Sequence, residues 1–276
     1  MKLKDALAGK LSEKELAILT GGFDVLGDIA IIEVEKGLGR KQKLIAKTLL
    51  ETHNHIKVVL KKTGAHYGKF RRQKMTWLAG EKRKVTEYKE SGTRMRLDVE
   101  KCYFSPRLGT ERFRIANLVA PGERVLVMFS GVAPYQIIIA KHSKAKEVVG
   151  VELNPVAHKF ALENVKLNKL TNVICIKGDC RKVVPKLGQF DRVMMCLPKE
   201  NYLFLDVALK AVKSGGFLHF YCFEKEGEFS LASDKVLKAA EQYNIACEVQ
   251  RVVKAGQHSP RVFRVCVDSK IMHKVL

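Results

Sequence analysis

Between positions 124 and 243 the sequence alternates between apolar, β-branched segments typical of strands and amphipathic segments typical of helices. The strand patterns are RVLVMF (124–129), EVVGVE (147–152), NVICIK (172–177), DRVMMCL (191–197) and GFLHFYCF (216–223). The helix patterns that follow the first, second, fourth and fifth of these are PYQIIIAKH, PVAHKFALENVKLN, NYLFLDVALKAV and LASDKVLKAAEQY. Because strands that alternate with helices form a parallel sheet covered on both faces, this order predicts an α/β fold.

Two more strand patterns, ACEVQRVVKA (246–255) and RVFRVCVD (261–268), follow the last helix. Only about six residues join them, and so short a link is too short for a parallel crossover. The last two strands are therefore predicted to be antiparallel. A parallel sheet that ends in an antiparallel hairpin resembles the Rossmann-like domain of class I S-adenosylmethionine-dependent methyltransferases.

A different pattern precedes this domain. Strand patterns flank Gly27-Asp28 and Ser91-Gly92 as two hairpins, and one helix is predicted at about 40–52. Hairpins with one helix indicate a small α+β unit. Ser105-Pro106 then resembles the start of a new helix, with serine as the N-cap and proline at the first helical position. We therefore predict a small domain at 1–102 and a larger one at 103–276.

Positive charge is concentrated in the small domain. The chain has 50 Lys and Arg against 29 Asp and Glu, and residues 57–96 hold thirteen of the basic residues against three glutamates. Tyr67, Phe70, Trp77 and Tyr88 lie among these charges, and such a mixture suits a phosphate backbone with unstacked bases. A lysine-rich thermophile surface is the alternative, but such surfaces usually hold matching glutamates. The pattern favours RNA, and no helix-turn-helix or zinc module points to DNA.

Other features limit the class of protein. No apolar run reaches the roughly 18 residues of a membrane span, and the charged amino-terminal segment does not resemble a signal peptide, so we expect a cytosolic protein. The seven cysteines are scattered without a C-x-x-C pair, and we expect no metal site. We also expect a monomer.

Three residues at the ends of successive strands form a candidate cofactor site. In an open parallel sheet, ligands bind at the carboxyl ends of the strands, where the strand order reverses. Gly131 allows a ligand to approach the backbone, Glu152 is placed for two ribose hydroxyls, and Asp179 is placed near an adenine. Each residue also has a structural interpretation: Gly131 as a turn glycine, Glu152 as a cap of the next helix, and Asp179 as an N-cap. The glycine-rich dinucleotide motif is absent, which argues against nicotinamide or flavin.

Four segments resemble one family of enzymes. These are FDVLGDIAII (23–32), YFSPRLGTER (103–112), MFSGV (128–132) and LPK (197–199). They resemble the archaeal and eukaryotic tRNA guanosine-37 N1-methyltransferases, and the related wybutosine-pathway aminocarboxypropyltransferases share much of this plan. The YFSPR-x-x-TER string is specific to the methyltransferase branch.

This resemblance implies the cofactor S-adenosylmethionine, the partner tRNA and two catalytic residues. Glu111 would be the general base that removes the proton from guanine N1, and Arg71 would stabilise negative charge on guanine O6. Glu111 could instead only pair with Arg107 or Arg114, and Arg71 could only contact phosphate. The resemblance also implies further cofactor-binding residues: Arg112, Phe129, Tyr135, Cys196 and Pro198.

Three positions depart from the family pattern. Val127 replaces an acidic residue, Ala133 replaces a glycine, and Cys196 replaces an asparagine, and a thiol is a weaker hydrogen-bonding group than a carboxamide. Two other functions therefore stay open beside N1-methylation. The chain could transfer the aminocarboxypropyl group of the same cofactor to a wyosine precursor, or it could bind tRNA without catalysis.

Overall fold

The structure of the chain is a computed structural model that describes residues 3–274, without the side chains of 65, 66, 273 and 274. It divides into two compact units. The first contains the residues up to Lys89 together with Arg94–Phe104, and the second contains Glu90–Thr93 together with the residues from Ser105 onward. Each unit has its own hydrophobic core.

The first unit is a small α+β structure. Its elements are α1 (Leu3–Leu7), α2 (Glu13–Ile18), β1 (Asp24–Leu26), β2 (Ile29–Ile32), α3 (Gln42–Thr52), β3 (Val58–Tyr67), β4 (Arg72–Gly80), β5 (Val85–Glu90) and β6 (Thr93–Asp98). A four-stranded sheet has the order β1-β2-β3-β4, and β5 pairs with β6. The parallel pairing of β2 with β3 requires a crossover, which α3 supplies.

The local sequence explains how this unit folds. Ser12 and Glu15 form a reciprocal capping box that fixes the start of α2. The predicted hairpin at Gly27-Asp28 is present between β1 and β2, and Gly27 has a φ of 57° that glycine adopts without strain. The apolar face of α3, which includes Ile45 and Leu49, contributes to the core of the unit.

The second unit is the predicted Rossmann-like domain. Its elements are α4 (Gly109–Leu118), β7 (Arg124–Met128), α5 (Pro134–His142), β8 (Glu147–Glu152), α6 (Pro155–Leu167), β9 (Val173–Lys177), α7 (Cys180–Val183), β10 (Phe190–Met195), α8 (Leu205–Ala211), β11 (Val212–Lys225), α9 (Ser230–Gln242), β12 (Ile245–Ser259) and β13 (Val262–Lys274). The sheet order is β12-β13-β11-β10-β7-β8-β9. Strands β7 to β11 pair with one another only in parallel. Strand β13 is antiparallel to both β11 and β12. The α/β class and the terminal antiparallel hairpin are confirmed.

Some details differ from the sequence prediction. Residues Pro106–Leu108 form a short 3₁₀ turn before α4, and the side chain of Ser105 makes no capping hydrogen bond. The structure contains helix α7, which the sequence patterns did not indicate. The last two strands are longer than predicted, so that only Pro260 and Arg261 separate them.

The two edge strands of the large sheet differ in length and regularity. Strand β9 has only five residues. Strand β12 has 15 residues, but its pairing with β13 is interrupted by four register shifts. Such irregularities bend a strand and increase its local twist.

None of the helices within residues 3–274 is both long enough and apolar enough to cross a lipid bilayer.

Candidate active site

The turn after β7 lies where the order of the sheet reverses, since β7 pairs with β8 on one side and with β10 on the other. Phe129, Gly131 and Ala133 all have left-handed backbone conformations, with φ of 59°, 58° and 71°. Residues other than glycine rarely adopt this conformation, which costs of order 1 kcal/mol or more, and residues of this kind cluster at functional sites. The backbone N–H of Ser130 donates to Val151 O at 3.1 Å, which fixes the turn to β8.

Glu152 connects this turn to the end of β8. Its Oε2 accepts a hydrogen bond from the Gly131 N–H at 2.7 Å, and its Oε1 accepts one from the Asn154 N–H at 2.6 Å. Asn154 itself caps helix α6 through its side chain. Burial raises the pKa of the Glu152 carboxyl above its usual value. The Leu153 N–H also bonds to this carboxylate. Because a carboxylate has about four acceptor positions, one position remains for a hydroxyl of a ribose.

Two more predicted residues lie at neighbouring strand ends. Asp179 is the N-cap of α7, where its Oδ1 accepts from the Arg181 N–H at 2.9 Å. The structural interpretation of Asp179 therefore holds, and the structure does not test contact with adenine. The ring of Phe129 meets the ring of Phe204 edge to face, with centroids 4.9 Å apart, as expected for an apolar wall.

Glu111 is buried in the second unit, with 4% of its surface exposed. Arg114, one helical turn later, donates from Nε to Glu111 Oε2 and from Nη2 to Glu111 Oε1, both at 2.7 Å. The Tyr221 hydroxyl donates to Oε1 at 2.6 Å. The predicted pairing with Arg114 is therefore present, and the tyrosine is an additional donor. A bidentate arginine and a phenol together fix the plane of this carboxylate.

Tyr135 and Cys196 are close enough to Glu111 to influence it electrostatically. Burial raises the pKa of the Cys196 thiol, and burial likewise raises the pKa of Tyr135 far above its usual value, so both side chains are neutral. The ring of Tyr135 also lies next to that of Tyr221, with centroids 6.0 Å apart. Three residues that are far apart in the sequence are thus brought together around the predicted base. Pro198 is buried in the loop after β10.

Arg112 is buried and forms a bidentate ion pair with Glu90. A further N–H of Arg112 donates to the backbone carbonyl of Ser105 at 3.2 Å. The sequence pattern implies that Arg112 binds the cofactor, but in the structure its guanidinium is engaged by Glu90. The role of Arg112 toward a cofactor stays a prediction.

The first unit presents basic and aromatic side chains together at the β3–β4 turn. Arg71 has a left-handed backbone with φ of 49°, and its guanidinium lies 5.0 Å from the ring centroid of Tyr103. Neighbouring side chains stack in the same way over distances of 5.2 to 5.9 Å. We call five of them the basic–aromatic cluster: Tyr67, Lys69, Phe70, Arg72 and Lys74. Cation–π stacking orders these chains but leaves their charges available to solvent and ligands.

Sequence reasoning missed several residues around Glu111. Tyr221 and His219 lie two positions apart on β11, so their side chains point to the same face. Asp268 lies opposite His219 on β13, and Cys266 lies opposite Tyr221. Polar residues within otherwise apolar strands were the available signal, since such groups are buried only when they have partners.

Comparison with known proteins agrees with this architecture. Residues 86–250 match the family model of the TRM5/TYW2 methyltransferase domain, and residues 3–83 match the model of the TYW2 N-terminal domain. The tRNA (guanine(37)-N(1))-methyltransferase Trm5b of Pyrococcus abyssi is 37% identical over 256 residues, which are 92% of this chain and 76% of that protein. The tRNA(Phe) (4-demethylwyosine(37)-C(7)) aminocarboxypropyltransferase of Methanocaldococcus jannaschii is 31% identical over 249 residues, which are 90% of this chain and 97% of that protein.

Two solved structures are similar in fold as well as in sequence. The complex of aTrm5 with tRNALeu has a TM-score of 0.85 and 32% identity, and the match covers 98% of this chain and 78% of that one. The M. jannaschii TYW2 structure in complex with AdoMet has a TM-score of 0.72 and 28% identity, covering 91% of this chain and all of that one. Since the family model spans more than half of the sequence, the chain belongs to the TRM5/TYW2 methyltransferase family.

Proposed function

We propose that the chain is a tRNA methyltransferase that transfers the methyl group of S-adenosylmethionine to N1 of guanosine 37. The environment of Glu111 is the observation that supports this reaction best. Guanine N1 carries a proton, which must leave when the nitrogen attacks the methyl carbon of the sulfonium. A buried carboxylate close to Tyr135, which lies at the start of the helix after the cofactor turn, is a suitable acceptor for that proton.

The hydrogen bonds to Glu111 indicate which oxygen accepts the proton. Oε1 accepts from both Arg114 and Tyr221, so its two lone pairs are used. Oε2 accepts only from Arg114 among the described residues, which leaves one of its lone pairs for a substrate N–H. The proton of guanine N1 would therefore move to Oε2 as the bond between N1 and the methyl carbon forms and the bond between that carbon and the sulfonium sulfur breaks, with S-adenosylhomocysteine as the leaving group.

The strand-end turn fits the proposed cofactor. Glu152 keeps an acceptor position for a ribose hydroxyl, and Gly131 adds no side chain to the turn. When bound, S-adenosylmethionine supplies an electrophilic methyl group on a positively charged sulfur. The AdoMet complex of the TYW2 relative supports the same choice of cofactor.

The first unit would bind the RNA. Arg71 would neutralise negative charge that develops on guanine O6, and the basic–aromatic cluster would contact phosphates and bases. The tRNA complex of aTrm5 supports RNA as the partner.

Transfer of labelled methyl groups to an unmodified tRNA transcript with guanosine at position 37 tests the proposal. We expect the purified chain to produce 1-methylguanosine, and we expect Glu111→Gln to reduce the rate by about 10²- to 10⁴-fold. The carboxamide cannot accept the proton, although it preserves the size of the side chain. Glu226→Gln is the matched control, because Glu226 is exposed and pairs with Lys254 and not with Glu111 or its partners. Wild-type rates in Glu111→Gln would contradict a catalytic role for Glu111.

Aminocarboxypropyl transfer to a wyosine precursor is the second candidate. It is favoured by the match of residues 3–83 to the TYW2 N-terminal domain and by the aminocarboxypropyltransferase relative, nearly all of which is covered. Mass spectrometry of the modified nucleoside separates the two products. Calorimetry with S-adenosylmethionine addresses the third function, because a tRNA-binding protein without catalysis would show no cofactor binding at millimolar concentration.

A further inference from the structure

A network of charged side chains lies behind Glu111, and the buried Asp268 is its centre. Arg192 is buried, Arg114 is mostly buried and Arg251 is about half exposed. Asp268 Oδ2 accepts from Arg114 Nη1 and from Arg251 Nε, both at 2.7 Å. Asp268 Oδ1 accepts from Arg114 Nη2 at 3.2 Å, from His219 at 2.6 Å and from the Cys266 thiol at 3.3 Å. Five donors thus converge on one carboxylate, far more than a structural surface carboxylate usually receives.

The sheet brings these groups together by its register. Strand β11 pairs with β13 so that His219 is directly opposite Asp268 and Tyr221 is directly opposite Cys266. Residues two apart on a strand share one face, so His219 and Tyr221 both project toward α4 and its Arg114. The register therefore places the donor to Glu111 and the donor to Asp268 side by side on one strand.

Arg192, which contacts the imidazole on the side opposite Asp268, fixes the tautomer of His219. Arg192 has only donors, and its Nη1 lies 2.7 Å from His219 Nε2, so Nε2 is the acceptor and Nδ1 carries the proton. That proton is donated to Asp268. Arg192 is in turn held by Glu123 through two hydrogen bonds of 2.8 and 2.9 Å. Burial lowers the pKa of His219, so the ring is neutral.

The charges of this network cancel. Its carboxylates and guanidiniums are equal in number: Glu111, Asp268 and Glu123 against Arg114, Arg251 and Arg192. His219, Cys266 and Asp268 also place metal-ligand atoms within 4.8 Å of one another. Arg192 and Arg114, however, occupy the acceptor atoms of the histidine and the aspartate with positively charged donors, which opposes a cation there. The cluster is better explained as a support for an arginine.

Arg114 is the link between this network and the proposed base. Its guanidinium donates along one edge to Glu111 and along another to Asp268, so it bridges two carboxylates. A guanidinium is planar, and fixing one of its edges fixes the other. Without Asp268, Arg114 could rotate away from Glu111 or fold around it, and the free lone pair of Oε2 would lose its direction.

We propose that Asp268 is a positioning residue that aligns Glu111 for proton abstraction through Arg114, supported from behind by His219 and Arg192. This inference rests on the proposed methyl transfer. It adds that the orientation of the base is set by a strand of the terminal hairpin, whose sequence contains no part of the TER string. Asp268 does not contact the reacting atoms.

The test compares Asp268→Asn with wild type in single-turnover and steady-state methyl transfer. The asparagine keeps the shape of the side chain but loses its charge, and one of its atoms becomes a donor that faces other donors. We expect kcat to fall about 100-fold, because displacements of about 1 Å can have effects of this size. We expect the Kd for S-adenosylmethionine and the KM for tRNA to change by less than twofold. Arg114→Lys, which keeps the charge but loses the two-edged geometry, is expected to show the same pattern.

Asp191→Asn serves as the matched control, because Asp191 also pairs with a cation, Lys213, but lies outside the network. It is expected to keep the wild-type kcat. A crystal structure of Asp268→Asn gives a readout that does not depend on activity, and Arg114 is expected to leave the plane of the Glu111 carboxylate.

The outcomes separate this inference from the proposed function. Absence of methyl transfer by wild type would contradict the proposed function, and the variant structure would still decide whether Asp268 positions Glu111. An active wild type with an equally active Asp268→Asn, or an unchanged Arg114–Glu111 pairing in the variant structure, would overturn the inference alone. A parallel fall in kcat and in cofactor affinity would assign Asp268 to general folding of the site and also overturn it.

Discussion

The basic–aromatic cluster of the first unit and the network around Asp268 in the second unit hold arginine in opposite ways. In the first unit the basic–aromatic cluster carries an excess of positive charge on the surface, where aromatic rings order the side chains without neutralising them. In the second unit each buried guanidinium around Asp268 is paired with a carboxylate. The difference indicates what each region can do: unneutralised charge attracts a polyanion over long distances, whereas paired buried charge fixes geometry.

Removal of a buried arginine is expected to have the largest effect on stability. Arg192→Met leaves Glu123 and one nitrogen of His219 without their partner, and breaking a buried pair costs about 3–5 kcal/mol. Urea unfolding followed by circular dichroism measures the free energy of unfolding. The double variant Glu123→Met/Arg192→Met is expected to recover part of the loss, because it removes both charges. A change below about 1 kcal/mol in the single variant would show that the pair is not a buried determinant of stability.

Removal of surface charge in the first unit is expected to affect RNA binding but not folding. The triple variant Lys69→Gln/Arg72→Gln/Lys74→Gln is expected to lower the slope of log K against log salt by about 3, roughly one for each lost phosphate contact. Binding to tRNA at several salt concentrations measures this slope. The only tryptophan, Trp77, lies on β4, so its fluorescence reports whether the unit remains folded. An unchanged slope with an intact fold would remove the cluster from the RNA surface.

The pH dependence of stability also tests the network around Asp268. His219 is neutral in the folded chain because burial lowers its pKa, with the positive charges of Arg192 and Arg114 acting in the same direction and Asp268 opposing them. The unfolded chain takes up a proton at this histidine below about pH 6.5, so it binds more protons than the folded chain. Stability is therefore expected to fall as pH decreases from 7 to 5.

His219→Gln, although less stable at pH 7, is expected to lose less stability than wild type over this range. His158 provides the control, because its pKa is also lowered by burial while it lies outside the network. In His158→Gln, the part of the pH dependence of stability that comes from His219 is expected to be unchanged. Identical slopes in wild type and His219→Gln would mean that His219 does not change its protonation on unfolding.

An exposed ion pair within the second unit is expected to have the smallest effect. Glu226 lies 3.5 Å from Lys254, and both side chains are at least half exposed. Solvent screening limits such pairs, so Glu226→Gln is expected to change the free energy of unfolding by less than about 0.5 kcal/mol. Glu226 and Arg192 lie in the same unit, so a larger loss of stability in Arg192→Met is explained by burial. A loss of 2 kcal/mol or more would contradict this explanation.

The sequence predicted the architecture because hydrophobic periodicity is a local property. The terminal hairpin followed from the short link between 255 and 261, and the parallel sheet followed from the alternation of strands and helices. Helix α7 was missed because four residues are too few to display a helical period.

The candidate site was only partly predictable for a different reason. Gly131 and Glu152 were found because strand ends can be located from the sequence, and they do contact each other. The contact of Tyr221 with Glu111 joins residues 110 positions apart, and no local pattern indicates it. The ion pair between Glu90 and Arg112 could not be predicted either, since it depends on where the two residues lie in the folded chain.

The edges of the large sheet have a consequence for how the protein behaves at high concentration. An exposed, straight and regular edge strand offers a template on which another chain can add by backbone hydrogen bonding, which leads to aggregation. Strand β9 is too short to offer much of a template, and the four register shifts of β12 interrupt its ladder and bend its backbone. The fold thus limits cross-β association at both ends of an open seven-stranded sheet.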